Sequence, residues 1–100
     1  MNLTKEEALE LGKKVMNDIN FGYDTEDKIA IVFNEKKLYP YNIWLIGFLY
    51  GEDDYGRNVN ANLVIDDNNK MPKKLLFRNG AIDLGYDAEK DKYFVKEKRP

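Results

Sequence analysis

The sequence predicts an α+β fold: an N-terminal helix packed on a curved, mostly antiparallel sheet of five or six strands. Three observations predict it. Residues 3–19 repeat apolar side chains at helical spacing, the apolar period drops to two after Gly22, and the connections between the later apolar runs are short and turn-rich. One helix followed by several hairpin-linked strands is the pattern of a sheet covered by a helix on one side. With 100 residues the chain makes one domain, 1–100.

The helix is placed at about 4–20. Leu3-Thr4-Lys5-Glu6-Glu7 has the form of a capping box, in which Thr4 accepts from the Glu7 amide and the Glu7 carboxylate returns to the Thr4 amide. Leu3 and Ala8 then stand at the staple positions. Ala8, Leu11, Val15 and Ile19 recur on one side with Met16 beside them, while Glu10 and Lys14 form an i,i+4 pair on the wet side. The helix is expected to stop near Asn20 to Gly22, where Gly22 can take the left-handed cap.

The strands are placed at about 28–34, 41–50, 58–65, 74–78, 81–84 and 92–96. In the first, Ile29, Ile31 and Phe33 alternate with Lys28, Ala30 and Val32. In the third, Val59, Ala61, Leu63 and Ile65 point one way and Asn58, Asn60 and Asn62 the other. Residues 66–73 carry Asp-Asp-Asn-Asn turn chemistry and a proline. Asn79-Gly80 signals a type I′ hairpin turn. Residues 85–91 form another turn, and 96–100 a frayed tail.

The second strand poses the problem on which a functional reading turns. One face carries Tyr41, Ile43, Leu45, Gly47 and Leu49, and the other Asn42, Trp44, Ile46, Phe48 and Tyr50. A half-buried antiparallel strand should alternate apolar with polar, and a single helix covers a single face. Either the sheet curls until both faces are inside, or a loop or the tail covers the second face, or that face is left to a partner. Trp44, Phe48 and Tyr50 are residue types that anchor interfaces, and Tyr39-Pro40-Tyr41 adds two aromatics on a stiffened loop. Gly47 leaves a notch in the opposite face. The acidic turn Glu52-Asp53-Asp54-Tyr55 suits a basic partner, because complementary charge speeds and selects association. The candidate partner-binding residues are therefore Tyr39, Tyr41, Trp44, Phe48, Tyr50, Glu52, Asp53, Asp54 and Tyr55.

Composition removes much familiar chemistry. The chain has no cysteine, no histidine and no serine, which takes away disulfides, thiolate metal sites and the usual nucleophile–base pairs. The acids Glu52-Asp53-Asp54, Asp66-Asp67, and Asp83 with Asp87, Glu89 and Asp91 fall on turns and are read as solvated. Asp87, Glu89 and Asp91 have the first spacings of a calcium loop, but Lys92 stands where that loop needs glycine and Lys98 where it needs glutamate. No catalytic residue, cofactor or metal is expected, and the chain is read as a non-enzyme. A net charge of −2, from 16 bases and 18 acids, argues against nucleic acid as the partner. The first residues lack the apolar core of a secretory signal, and the apolar run 43–50 is far short of the roughly 20 residues that span a bilayer. A cytoplasmic location without membrane contact is the expectation.

The segments LTKEEALELGKKVMNDI, YNIWLIGFLYG, NANLVID and NNKMPKKLLF, in that order, resemble small immunity proteins of bacterial toxin systems with an NTF2-like or related α+β fold. The matching pieces are residues 3–19, 44–47 and 63–69. The resemblance implies neutralisation of a toxin by tight binding without catalysis, and assigns no binding residue. The expected function is thus a non-enzymatic protein-binding module, an immunity or antitoxin-like inhibitor whose partner is a protein such as a basic toxin or nuclease. The alternatives are an accessory or phage inhibitor of a host nucleic-acid enzyme, a small-ligand pocket lined by Trp44 and Tyr50 in a curled sheet, and a homodimer joined through the second face.

Overall fold

The computed structural model describes residues 2–25, 29–35, 39–52, 58–78 and 80–99, without the side chains of Glu52 and Asn58. One helix, α1 (Lys5–Asp18), precedes six strands: β1 (Ala30–Asn34), β2 (Ile43–Glu52), β3 (Asn58–Asp66), β4 (Met71–Phe77), β5 (Gly80–Asp87) and β6 (Lys92–Arg99). The strands form one open meander in the order β1-β2-β3-β4-β5-β6, each neighbour pair antiparallel. The fold is the expected α+β fold with a curved sheet.

Local chemistry sets the helix ends. Thr4 accepts from the Glu7 amide at 3.1 Å and the Glu7 carboxylate accepts from the Thr4 amide at 2.9 Å, closing the capping box. The stop falls within the expected stretch, but asparagine rather than glycine makes it. Asn20, at φ 60°, takes the left-handed position, with its amide on the Asn17 carbonyl at 3.1 Å and the Phe21 amide on the Met16 carbonyl at 2.9 Å. That is a Schellman ending, and Asn is the residue after Gly that tolerates it. Gly22 lies beyond the cap. On the exposed side Lys14 pairs with Asp18 at 3.2 Å, one turn further on than the expected Glu10–Lys14 pair.

The sheet extends past several sequence-based boundaries. β4 begins at Met71 rather than 74, although Pro72 cannot donate to a ladder. The register shifts beside it, with Val64 opposite Lys74 and Ile65 opposite Pro72, so a bulge absorbs the missing donor. β5 and β6 run on to Asp87 and Arg99 because they pair with each other nearly end to end. Gly80 pairs with Phe77 and is already the first residue of β5; Asn79, the other half of the expected Asn79-Gly80 turn, is outside the described residues. Further register shifts at Leu49/Gly51 and Asp83/Leu84 add local twist, which curves the sheet around the helix.

The helix stripe Ala8, Gly12, Val15 and Met16 is buried against the inner face of the sheet. Gly12 sets the distance: a Cβ there would stand 3.1 Å from Ile46 Cδ1 and 3.3 Å from Phe48 Cζ. The short side chain lets two large β2 residues sit directly under the helix. Burying a residue of that size contributes about 1.5–3 kcal/mol.

Candidate functional site

The described residues of the expected partner surface do not form one patch. Trp44 and Phe48 are corrected to core residues: Trp44 is 4% exposed and Phe48 fully buried, on the face that α1 covers. The Trp44 ring packs 5.0 Å from that of Phe33, and Phe48 4.8 Å from Tyr23. Tyr50 lies at the far end of the same inner face, half-buried against Phe21 at 5.6 Å, its hydroxyl accepting from the Arg78 amide at 3.4 Å. Tyr39 and Tyr41 precede the start of β2, whereas Glu52 ends it. A ten-residue strand is about 33 Å long, so the tyrosine loop and the start of the acidic turn lie at opposite ends of the sheet. Asp53, Asp54 and Tyr55 are outside the described residues, as is the Glu52 side chain.

The question of the second face has a mixed answer. In register order a row crosses the helix-free side through Val32, Leu45, Val64, Lys74, Asp83 and Glu97. It is apolar over β1 to β3 and charged over β4 to β6. Val64 is fully buried and Leu45 half-buried, while Val32 is 49% exposed. The residues just ahead of β2 approach this face. Lys74, opposite Val64, places its ammonium 5.1 Å from the Tyr39 ring centroid, and Tyr39 stands 5.7 Å from Tyr41. Burial, then the nearby charge of Asp66, pushes the Tyr41 phenol pKa up. The expected notch at Gly47 is closed, since a Cβ there would meet Asn62 Oδ1 at 3.3 Å and Ala30 Cβ at 3.5 Å.

Two acids read as solvated are buried instead. Asp67 is 1% exposed and Asp66 2%. Asp67 accepts from the Asn2 amide at 2.8 Å, the Leu3 amide at 2.9 Å and the Trp44 indole at 2.9 Å. Burial pushes its carboxyl pKa up, but these donors, the Asn2 and Leu3 amides foremost, outweigh burial and hold it below the usual carboxylate value. The residue latches the entry of α1 to the end of β3 and to Trp44. Asp66 accepts from the amides of Asn68 and Asn69 and the Asn69 side chain, which shapes the β3–β4 turn. These are structural roles.

A second polar corner forms where α1 ends against the β5–β6 turn. The Asp18 carboxylate accepts the Tyr93 amide at 3.0 Å, and Lys14 donates to the Asp91 carbonyl at 2.8 Å. Tyr86 donates its hydroxyl to Asp91 and stacks 4.7 Å from Tyr93. Beside this corner a groove of about 580 Å³ runs between the end of α1 and β6, where Phe94 (46%) and Val95 (42%) are exposed. Sequence reasoning passed over it because residues 92–96 read only as a short last strand.

Among the described residues no three acidic side chains gather to hold a metal, and no helix is long and apolar enough to cross a membrane. Trp44, which the small-ligand reading places on a pocket wall, is buried in the core, and a groove of about 300 Å³ beyond the end of α1 is lined by Phe21, the ring that packs on Tyr50. Neither a protein-family model, nor a curated protein, nor a solved structure matches the chain.

Proposed function

We propose that the chain is a non-enzymatic protein-binding module, an inhibitor of the immunity or antitoxin type, and that it engages its partner through the helix-free face of the sheet. One observation carries this reading: that face keeps Val32 49% exposed, in a row that runs from apolar side chains at β1 to charged ones at β6, and the Tyr39–Tyr41 pair lies over it. Tyrosines on a loop bring contact area at low entropic cost, and an apolar patch bordered on one side by charged side chains offers both burial and polar contacts to a partner. The partner residues proposed are Val32, Tyr39 and Tyr41; Trp44 and Phe48 support them from the core side of β2. The resemblance to toxin-immunity proteins supplies the class of partner, a toxin encoded beside the gene.

The test is co-expression with the product of the adjacent gene. The chain should relieve its toxicity and bind it in a purified pair. Val32→Lys, or Tyr39→Ala with Tyr41→Ala, should weaken that binding by at least about tenfold, the loss expected when hot-spot residues are removed, at unchanged melting temperature. No binding to the neighbour, or binding indifferent to both variants, overturns the proposal.

A further inference from the structure

We propose that the free edge of β6 accepts an extended acidic segment of a partner protein by strand addition, in the groove between that edge and the end of α1. This surface is separate from the helix-free face and stands or falls independently of it.

β6 closes one side of the open sheet, so half of its backbone groups face away from β5. Tyr93 shows which half. Its amide donates to the Asp18 carboxylate of α1 rather than to β5. Backbone direction alternates along a strand, so the Tyr93 carbonyl and both polar groups of Val95 also point outward. The fold already places a carboxylate on the first rung of this edge, in the position a neighbouring strand's carbonyl would take. The rungs at Val95 remain for an incoming chain.

The groove has side-chain positions for such a chain as well. Val95 and the end of α1 at Ile19 offer apolar contact on the helix side. On the other side the Phe94 ring lies over Gly85, where a Cβ would come within 2.7 Å of Phe94 Cε2. An added strand with alternating apolar residues would find a partner on each face.

Charge selects the occupant. β6 holds four basic residues, Lys92, Lys96, Lys98 and Arg99, against the single acid Glu97, in a chain whose net charge is −2. Arg99 is engaged with Asp83 at 2.8 Å and Lys98 lies by the Phe77 ring, while Lys92 and Lys96 are exposed. The groove lining itself is balanced, Asp18 and Asp87 against Lys90 and Lys92, but both acids are engaged within the fold, Asp18 by the Tyr93 amide and Lys14, and Asp87 by the amides of Glu89 and Lys90, so the positive excess lies along β6. Lysines on an edge repel a second copy of the same edge, which keeps the protein from pairing with itself. The same lysines attract an acidic strand, so protection and recognition do not conflict. The bulge between Asp83 and Leu84, with Lys96 as the extra residue of β6, bends the strand and confines pairing to the stretch before it.

The experiment uses the full chain and two fluorescein-labelled eight-residue peptides, one alternating glutamate with valine and one alternating lysine with valine. Anisotropy should show that the acidic peptide binds and the basic one does not, and amide chemical shifts should move at Tyr93 to Val95. Val95→Pro removes one outward amide at a position where proline is tolerated in an edge strand, and should weaken binding at least about tenfold. Lys92→Glu with Lys96→Glu, a surface change that keeps the backbone, should abolish binding of the acidic peptide. Absence of binding, binding unchanged in both variants, shifts centred on Val32 and Tyr41, or equal competition by a single-stranded oligonucleotide would each overturn the proposal.

Discussion

Replacing Asp67 with alanine tests the latch on which the placement of Trp44 rests. The variant removes three acceptor contacts and leaves the Leu3 amide and the Trp44 indole N–H buried without partners. Each orphaned buried donor costs about 1–3 kcal/mol. The Asn2 contact is nearer solvent and adds less, so the expected loss is about 3–5 kcal/mol. That is a large share of the roughly 5–15 kcal/mol that holds a domain together. Asp67→Asn keeps one oxygen for Leu3 and Trp44 but turns an NH₂ toward the Asn2 amide, at a cost of about 1–3 kcal/mol. Urea unfolding followed by the fluorescence of Trp44, the chain's single tryptophan, reads both. At a slope near 1.5 kcal/mol/M the alanine variant's midpoint should fall by roughly 2–3 M. The pH dependence supplies an independent check. The folded carboxyl titrates below its ordinary value of 3.8, so the stabilisation is complete above that pH and is lost as pH falls through the folded pKa. The gap between wild type and Asp67→Asn should hold from pH 7 to about 5 and narrow below about 4. A loss under about 1 kcal/mol for Asp67→Ala, or a gap that stays constant down to pH 2, would refute the latch.

Two further predictions concern the β5–β6 corner. Gly85→Ala should destabilise the wild type by about 1–2 kcal/mol because the new methyl displaces the Phe94 ring, and should be near neutral in a Phe94→Ala background; a double-mutant cycle by thermal unfolding measures the coupling. The hydrogen bond to Asp91 pushes the Tyr86 phenol up to about 12. In an alkaline absorbance titration Tyr86 should therefore ionise well after an unperturbed phenol, and Asp91→Asn, which tolerates the left-handed backbone there, should bring its ionisation back toward 10. Because the folded pKa is the higher one, this contact stabilises fully below pH 10 and is lost as pH rises toward 12.

The helix and the meander were legible because each rests on a local signal. The capping box lies within four residues, Thr4 to Glu7, and the strand alternation is read along a single segment. The helix stop was legible as the stretch from Asn20 to Gly22, but the residue that takes the cap was not, because two local candidates competed. Glycine is the commoner left-handed cap, yet Asn20 came first at the point where the apolar stripe ran out. The extra length of β5 and β6 had no local cue, since strand ends depend on whether a partner is present opposite, and only the tertiary pairing supplies one. The Tyr39–Lys74 contact likewise joins a loop to a strand 35 positions on.

The misassigned anchors have a more specific lesson. Tryptophan and phenylalanine serve a core and an interface equally well, so their identity does not decide between the two; coverage does. The chain nevertheless contained one constraint that bears on coverage. A buried indole needs an acceptor for its N–H, and Trp44 sits near the start of a strand whose antiparallel neighbour ends in Asp66-Asp67. Pairing β2 with β3 in the register that aligns their apolar residues sets Trp44 opposite Ile65, two positions before Asp67. A carboxylate at that position satisfies the indole from within the domain, and the two N-terminal amides satisfy the carboxylate in turn. An aspartate pair at a strand end read as solvated, and a tryptophan read as a partner anchor, were thus one buried contact. Once they are joined, the exposed apolar surface moves to Val32 on the other side of the sheet and to the edge at Phe94 and Val95.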